Sequence, residues 1–210
     1  MEYEESVSLK QGKIDIEYGI IHGDNTIVFI KPGSGGDCYG YGNKYLKIAK
    51  SLHEKHGCSV IAGSNPLGFQ NDMAMEMNFI RDYARNHELK DYKVCYFGHS
   101  NGAALGMIHA YKHPEIKSLA CINGPLMIQP QKLIGGIKAF SGDKMFLVYG
   151  SKDPSFHMVK LYSELESEKI SFVSIYGADH NFTGCMDLFI ELPGVLFFGD
   201  TLSCKNVKMH

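Results

Sequence analysis

The chain has 210 residues, of which 44% are hydrophobic and 21% are charged. This composition is close to the globular average, which argues against disordered, collagen-like and coiled-coil classes, and the length suits a single domain over residues 1–210. With 21 basic and 23 acidic side chains, a net charge of -2 and arginine only at Arg81 and Arg85, no nucleic-acid partner is expected.

Three short strands are predicted at the start of the chain, and strands then alternate with helices. Turn residues bound the first three runs, and further along apolar residues recur at helical spacing between short apolar runs. The predicted elements are, in order, strands Glu5–Leu9, Lys13–Ile20 and Thr26–Lys31, a helix over Tyr45–Leu52, a strand Cys58–Ala62, a helix Met73–Ala84, a strand Tyr92–Phe97, a helix Asn101–Tyr111, strands Lys117–Ile122 and Lys144–Tyr149, a helix Ser155–Glu168 and a strand Ser171–Tyr176.

This alternation predicts an α/β fold. The sheet should be mostly parallel, with an antiparallel hairpin at its N-terminal end and helices on both faces. One connection, residues 123–143, is longer than is usual in a compact domain. It is either a small lid over a binding site or an ordinary surface helix packed on the sheet.

The segment Gly98-His-Ser-Asn-Gly102 follows a predicted strand and precedes a predicted helix. This is the context of a Gly-x-Ser-x-Gly nucleophile elbow, in which a sharp turn exposes a serine hydroxyl above the sheet. Neighbours two positions either side of that serine are crowded, and glycine meets this requirement. The pattern therefore indicates Ser100 as a nucleophile.

A serine hydroxyl needs a base, and the base needs an acid to orient it. Asp153 and His180 each come just after a later predicted strand. Since ligand sites in parallel sheets lie beyond the carboxyl ends of the strands, Ser100, Asp153 and His180 should converge there.

At this point the sequence resembles the α/β-hydrolase superfamily, in which these residues follow one another in the chain order Ser, Asp, His. The resemblance implies that Ser100 is the nucleophile, His180 the base and Asp153 the acid. The loop Pro32-Gly-Ser-Gly-Gly36 is similar to the family's His-Gly-x-Gly-Gly loop, with proline in place of histidine. It implies an oxyanion hole formed by the backbone N–H groups of Ser34 and Asn101.

Other residues could fill the roles of acid and base. Asp143 precedes its strand and should lie at the far edge of the sheet, while Asp179 adjoins His180 in the chain, where neighbouring side chains usually diverge. His99 and His22 are more simply explained as pocket-wall or half-buried core histidines. Asp153 and His180 therefore remain the preferred pair.

The predicted function is hydrolysis of a small-molecule ester or thioester through an acyl-enzyme, without a cofactor. Leu126 and Met127, at the start of the long connection, are expected to contact the acyl chain. A ligand-binding protein on a hydrolase scaffold, and an acyltransferase with the same triad, are the alternatives. The sequence does not indicate an oligomeric state.

The sequence contains no apolar run of the ~18 residues that a membrane span needs. Its first residues, Met1–Glu5, are acidic where a targeting peptide would be basic, so a cytoplasmic protein is expected. None of the six cysteines is in C-x-x-C spacing and none of the ten histidines is in H-E-x-x-H spacing, so no metal site is expected.

Overall fold

A computed structural model describes residues 2–67 and 72–202 of the chain. These residues form eight strands and five α-helices, with 3₁₀ turns at Tyr41–Asn43 and Ala110–Lys112 and a longer 3₁₀ helix at Phe156–Leu165. The strands are β1 Glu5–Gln11, β2 Ile14–Ile21, β3 Asp24–Lys31, β4 Cys58–Gly63, β5 Lys93–His99, β6 Ile116–Ile122, β7 Lys144–Gly150 and β8 Ile170–Ile175. The α-helices are α1 Lys44–His56, α2 Ala74–Asn86, α3 Asn101–His109, α4 Pro130–Ala139 and α5 Met186–Phe198.

All eight strands join in one sheet, in the order β1-β2-β4-β3-β5-β6-β7-β8. The pairs β1–β2 and β2–β4 are antiparallel, and every pair from β4–β3 to β7–β8 is parallel. The predicted α/β class, with a mostly parallel sheet and an N-terminal antiparallel hairpin, is confirmed.

Helices cover both faces of the sheet because successive strand residues point to opposite sides. In β3, Ile27 and Phe29 join the core beneath α2, α3 and α4, whereas Val28 and Ile30 join the core beneath α1 and α5. The central strands are therefore apolar at almost every position. Among the residues described, no helix has the length and apolar character needed to cross a bilayer.

Residues 156–165 form a 3₁₀ helix where the sequence predicts an α-helix over Ser155–Glu168. Phe156, Val159, Tyr162 and Leu165 all pack on the core, and they are spaced three residues apart. A repeat of three matches the three residues per turn of a 3₁₀ helix.

The connection 123–143 contains α4, which packs against α3. A Cβ atom built on Gly136 would lie 2.2 Å from the carbonyl oxygen of Met107, so the two helix backbones approach closely. Leu133 and Ile137 are fully buried in the same contact. The second half of the connection is therefore packed against α3.

Candidate active site

Ser100 lies between the end of β5 and the start of α3, at the carboxyl edge of the sheet. Its backbone has φ 55° and ψ -119°, a conformation that L-residues rarely adopt. The Ser100 N–H donates to the carbonyl oxygen of Ile122 at 2.8 Å, which fixes the turn against β6. Ser100 is partly exposed at this edge of the sheet.

Gly98 and Gly102 make this turn possible. A Cβ on Gly98 would lie 2.6 Å from the Gly102 carbonyl oxygen, and a Cβ on Gly102 would lie 2.2 Å from the Lys31 carbonyl oxygen. Any larger residue at either position would displace backbone atoms. The structure thus shows the crowding that the Gly-x-Ser-x-Gly spacing predicts.

A continuous hydrogen-bond chain joins three side chains from three loops. His180 Nε2 lies 3.0 Å from Ser100 Oγ, and His180 Nδ1 lies 2.5 Å from Asp153 Oδ2. Because a carboxylate can only accept, Nδ1 donates to Asp153 and Nε2 is left to accept the Ser100 hydroxyl proton. The Asp153 side chain is 1% exposed, and its other oxygen accepts the Ser155 N–H at 2.7 Å.

The other two candidate acids lie apart from the imidazole. Asp179 Oδ1 accepts the N–H groups of Asn181 and Thr183, and these bonds, that of Thr183 above all, lower the pKa of the Asp179 carboxyl. Asp143 is at the opposite edge of the sheet, where its N–H donates to the Lys117 carbonyl oxygen.

Two buried polar residues hold the loop that carries His180. The Asn123 side chain donates to the carbonyl oxygens of Asp179 and His180, at 3.0 and 3.1 Å, and accepts the Gly150 N–H at 2.8 Å. His99 Nε2 donates to the His180 carbonyl oxygen at 2.8 Å. Burial, with a smaller effect of the Lys44 charge, lowers the pKa of His99 to about 3, so this histidine is a neutral donor near pH 7.

The glycine-rich loop after β3 lies against the serine. A Cβ on Gly33 would be 3.4 Å from Ser100 Oγ, and the N–H groups of Gly35 and Gly36 are used inside the loop or toward Asn65. Among the described residues, the Ser34 N–H has no acceptor. Asn101 is the first residue of α3, and its N–H has no acceptor within the helix.

Asn65, which follows β4, connects the two segments that carry these N–H groups. Its side-chain amide donates to the carbonyl oxygen of Pro32 and to Asn101 Oδ1, both at 3.0 Å. Its backbone pairs with Gly35 and Gly36 at 2.7 and 2.8 Å. Asn65 is 3% exposed, so these bonds are shielded from water.

A cavity of about 310 Å³ opens beside Ser100. The lining residues relevant to the chemistry are Ser34, Tyr41, Lys44, Ser100, His180 and Asn181. Leu126 and Met127 are not part of this wall. The expectation that Leu126 contacts substrate is corrected. Leu126 is 1% exposed within the core, and its carbonyl oxygen accepts the Tyr162 hydroxyl. Met127 is 68% exposed and lies outside the lining of this cavity.

Sequence reasoning did not identify Lys44, Asn65 or Asn123. Asn65 and Asn123 bond to residues far away in the chain, and a lone asparagine or lysine carries no motif. It also gave no signal for Glu5, His22 and His87, whose side chains could together ligate a metal ion at the opposite edge of the sheet. His22 pairs there with Glu5 at 3.2 Å and does not reach Ser100.

No protein-family model and no curated protein sequence matches the chain. Solved structures match it over nearly their whole length. Est1E from Butyrivibrio proteoclasticus has a TM-score of 0.69 at 13% identity, over 89% of this chain and 95% of its own. A dienelactone hydrolase from Anabaena variabilis has a TM-score of 0.68 at 20% identity, over 92% and 95%. An α/β serine hydrolase without a lid from Xanthomonas campestris has a TM-score of 0.64 at 14% identity, over 94% and 93%.

The chain has the α/β-hydrolase fold. The resemblance inferred from the sequence is confirmed at the level of the fold. On this α/β-hydrolase sheet, Ser100 follows β5, Asp153 follows β7 and His180 follows β8. All three therefore reach the same edge, where the glycine-rich loop after β3 also lies.

Proposed function

We propose that this protein is a serine hydrolase that cleaves an ester or thioester through an acyl-enzyme on Ser100. The observation that carries the proposal is the hydrogen-bond chain from Ser100 through His180 to the buried Asp153. Structural neighbours that include a dienelactone hydrolase and an esterase domain from Rhodothermus marinus support the same reaction class.

In the first half-reaction, Ser100 Oγ attacks the carbonyl carbon while His180 Nε2 takes the hydroxyl proton. Asp153 holds the imidazole in the required tautomer and stabilises its protonated form. The negative charge on the carbonyl oxygen would be met by the N–H groups of Ser34 and Asn101, where each such donor contributes about 3 to 4 kcal/mol. The proton then passes from His180 to the departing oxygen or sulfur.

In the second half-reaction, water replaces the departed group. His180 Nε2 takes a proton from water as the water oxygen attacks the acyl carbon. The same N–H donors stabilise the second tetrahedral intermediate, and the proton returns to Ser100 Oγ as the carboxylic acid is released. Both half-reactions use the chain's own residues, the substrate and water.

A fluorophosphonate probe tests the nucleophile, because only an activated serine displaces its fluoride at a useful rate. We expect one adduct, at Ser100, and no labelling of Ser100→Ala. Cys38→Ala is the matched control: Cys38 is close to the glycine loop but buried, and burial raises the pKa of its thiol to about 11. This variant should label like the wild type.

Turnover distinguishes hydrolysis from the other two functions. With 4-nitrophenyl acetate we expect a burst of nitrophenolate equal to the enzyme concentration, followed by steady release. An adduct located outside Ser100, or labelling that persists in Ser100→Ala, would contradict the proposal. Neither a burst nor steady release would favour a binding protein, and ester products formed from an added alcohol would favour an acyltransferase.

A further inference from the structure

Lys44 is a buried cation in the wall of the Ser100 cavity. The residue is 6% exposed, and its Nζ lies 4.6 Å from the centroid of the Phe189 ring and 5.1 Å from that of Tyr45. Among the described residues, no carboxylate pairs with it. The ring faces stabilise the ammonium only in part, because a desolvated charge ordinarily needs an ionic partner.

The position of Lys44 in its helix adds to this cost. It is the first residue of α1, whose first turn contains no acidic residue. The positive end of a helix dipole disfavours a cation there. Burial accordingly lowers the pKa of Lys44. A methionine would fill the same space between Tyr45 and Phe189 without these penalties, so packing alone does not explain a lysine here.

The surroundings of Lys44 lack negative charge. A second cavity, of about 730 Å³, shares Tyr41, Lys44 and Asn181 with the cavity beside Ser100 and extends toward Lys47. Neither cavity is lined by an aspartate or glutamate among the described residues. Asp37, a nearby acid in the chain, lies outside both linings, and its carboxylate accepts the N–H groups of Tyr39 and Gly40.

These observations are explained if the missing partner of Lys44 arrives with the substrate. Building on the proposed ester hydrolysis, we propose that Lys44 binds a free carboxylate of the substrate, so that the preferred substrate is a short ester that carries a negative charge. A single ammonium matches a monoanion, whereas a phosphate dianion with three oxygens usually requires several cationic or N–H donors. The modest cavity volume at Ser100 also favours a short substrate.

Paired esters test this assignment. On the acyl side, the mono-4-nitrophenyl ester of glutaric acid is compared with 4-nitrophenyl pentanoate, and on the leaving-group side 3-acetoxybenzoate is compared with phenyl acetate. We expect the wild type to prefer the charged member of at least one pair, as measured by kcat/KM. The responding pair identifies the side on which the carboxylate sits.

Lys44→Met should reduce that preference by about tenfold or more, mainly through KM, since a hydrogen bond to a charged group is lost. Lys50→Met, on the same helix but outside both cavities, is the matched control and should leave the preference as it is. A wild type that prefers neither charged ester would overturn the proposal, and so would an unchanged preference in Lys44→Met.

The assignment can be tested separately from ester hydrolysis. If wild-type protein turns over none of the four esters, the proposed function fails. Binding of glutarate still tests the site, and the rise in Tm measures this binding. We expect a rise for wild type and a smaller rise for Lys44→Met. Equal rises for the two proteins, or a larger rise with inorganic phosphate than with glutarate, would contradict a carboxylate site.

Discussion

Substitutions of Asp153 and Asp179 test which of the two carboxylates orients the His180 imidazole. Asp153 Oδ2 lies 2.5 Å from the imidazole, while Asp179 Oδ1 accepts backbone N–H groups in the histidine loop. We expect Asp153→Asn to fold normally but to lose about 10⁴-fold in kcat, because the amide no longer selects the tautomer whose Nε2 accepts from Ser100. Steady-state ester hydrolysis measures the loss.

Asp179→Asn is the control for that change. Its side chain keeps an oxygen that can accept the N–H groups of Asn181 and Thr183, so kcat should fall far less. If Asp179→Asn were the more damaging substitution with both variants folded, the acid would be misassigned, while the roles of Ser100 and His180 could stand.

Single residues differ in how well the sequence predicts them. Ser100, Asp153 and His180 each follow a strand, and the elbow spacing marks the serine, so local pattern and chain order suffice to bring them to one edge. Asn65 and Asn123 could not be found this way. Their bonds reach Asn101 and His180, which are 36 and 57 positions away, and only the sheet order makes those distances short.

Elements are predictable where one periodicity dominates. The predicted bounds of each strand from β1 to β8 lie within a few residues of the observed ones. Short apolar runs between turn residues usually form strands. α5 was not expected. Pro193 lies inside this helix, and because proline ordinarily ends a helix, the sequence pattern does not indicate one across it.

The start of the connection 123–143 gives a prediction for stability. Leu126 is buried in the core, so Leu126→Ala should lower the free energy of unfolding by about 2–5 kcal/mol. Met127 is exposed, and Met127→Ala should change it by less than about 0.5 kcal/mol. Urea denaturation measures both.

The dependence of the hydrolysis rate on acyl chain length tests whether Leu126 contacts substrate. Leu126→Ala should leave the relative rates for short and long acyl chains unaltered, because Leu126 does not line the cavity. A stable Leu126→Ala protein with altered chain-length preference would instead restore the expectation that this residue contacts substrate.

The stability of the whole molecule should depend on pH through His99. Burial lowers the pKa of His99 from 6.5 to about 3, so between these values the unfolded chain binds a proton that the folded chain does not. The stability that depends on neutral His99 is fully present above pH 6.5 and is lost as the pH falls toward 3. Its slope is at most about 1.4 kcal/mol per pH unit.

We expect His99→Gln to flatten the dependence of unfolding free energy on pH, measured by urea denaturation between about pH 3.5 and 7. His157→Gln is the control, because His157 is exposed. Carboxylates titrate in the wild type and in both variants, so their contribution to the slope cancels when the proteins are compared. Identical slopes for the two variants would show that His99 does not supply this proton.

The positive φ at Ser100 has a consequence for how this chain changes over generations. A non-glycine residue in such a conformation costs about 1–3 kcal/mol, which glycine would largely avoid. Random substitution without selection for catalysis would therefore favour glycine at position 100. The protein would become more stable and would lose the Ser100 hydroxyl. A protein that only bound ligands would have no reason to resist that drift.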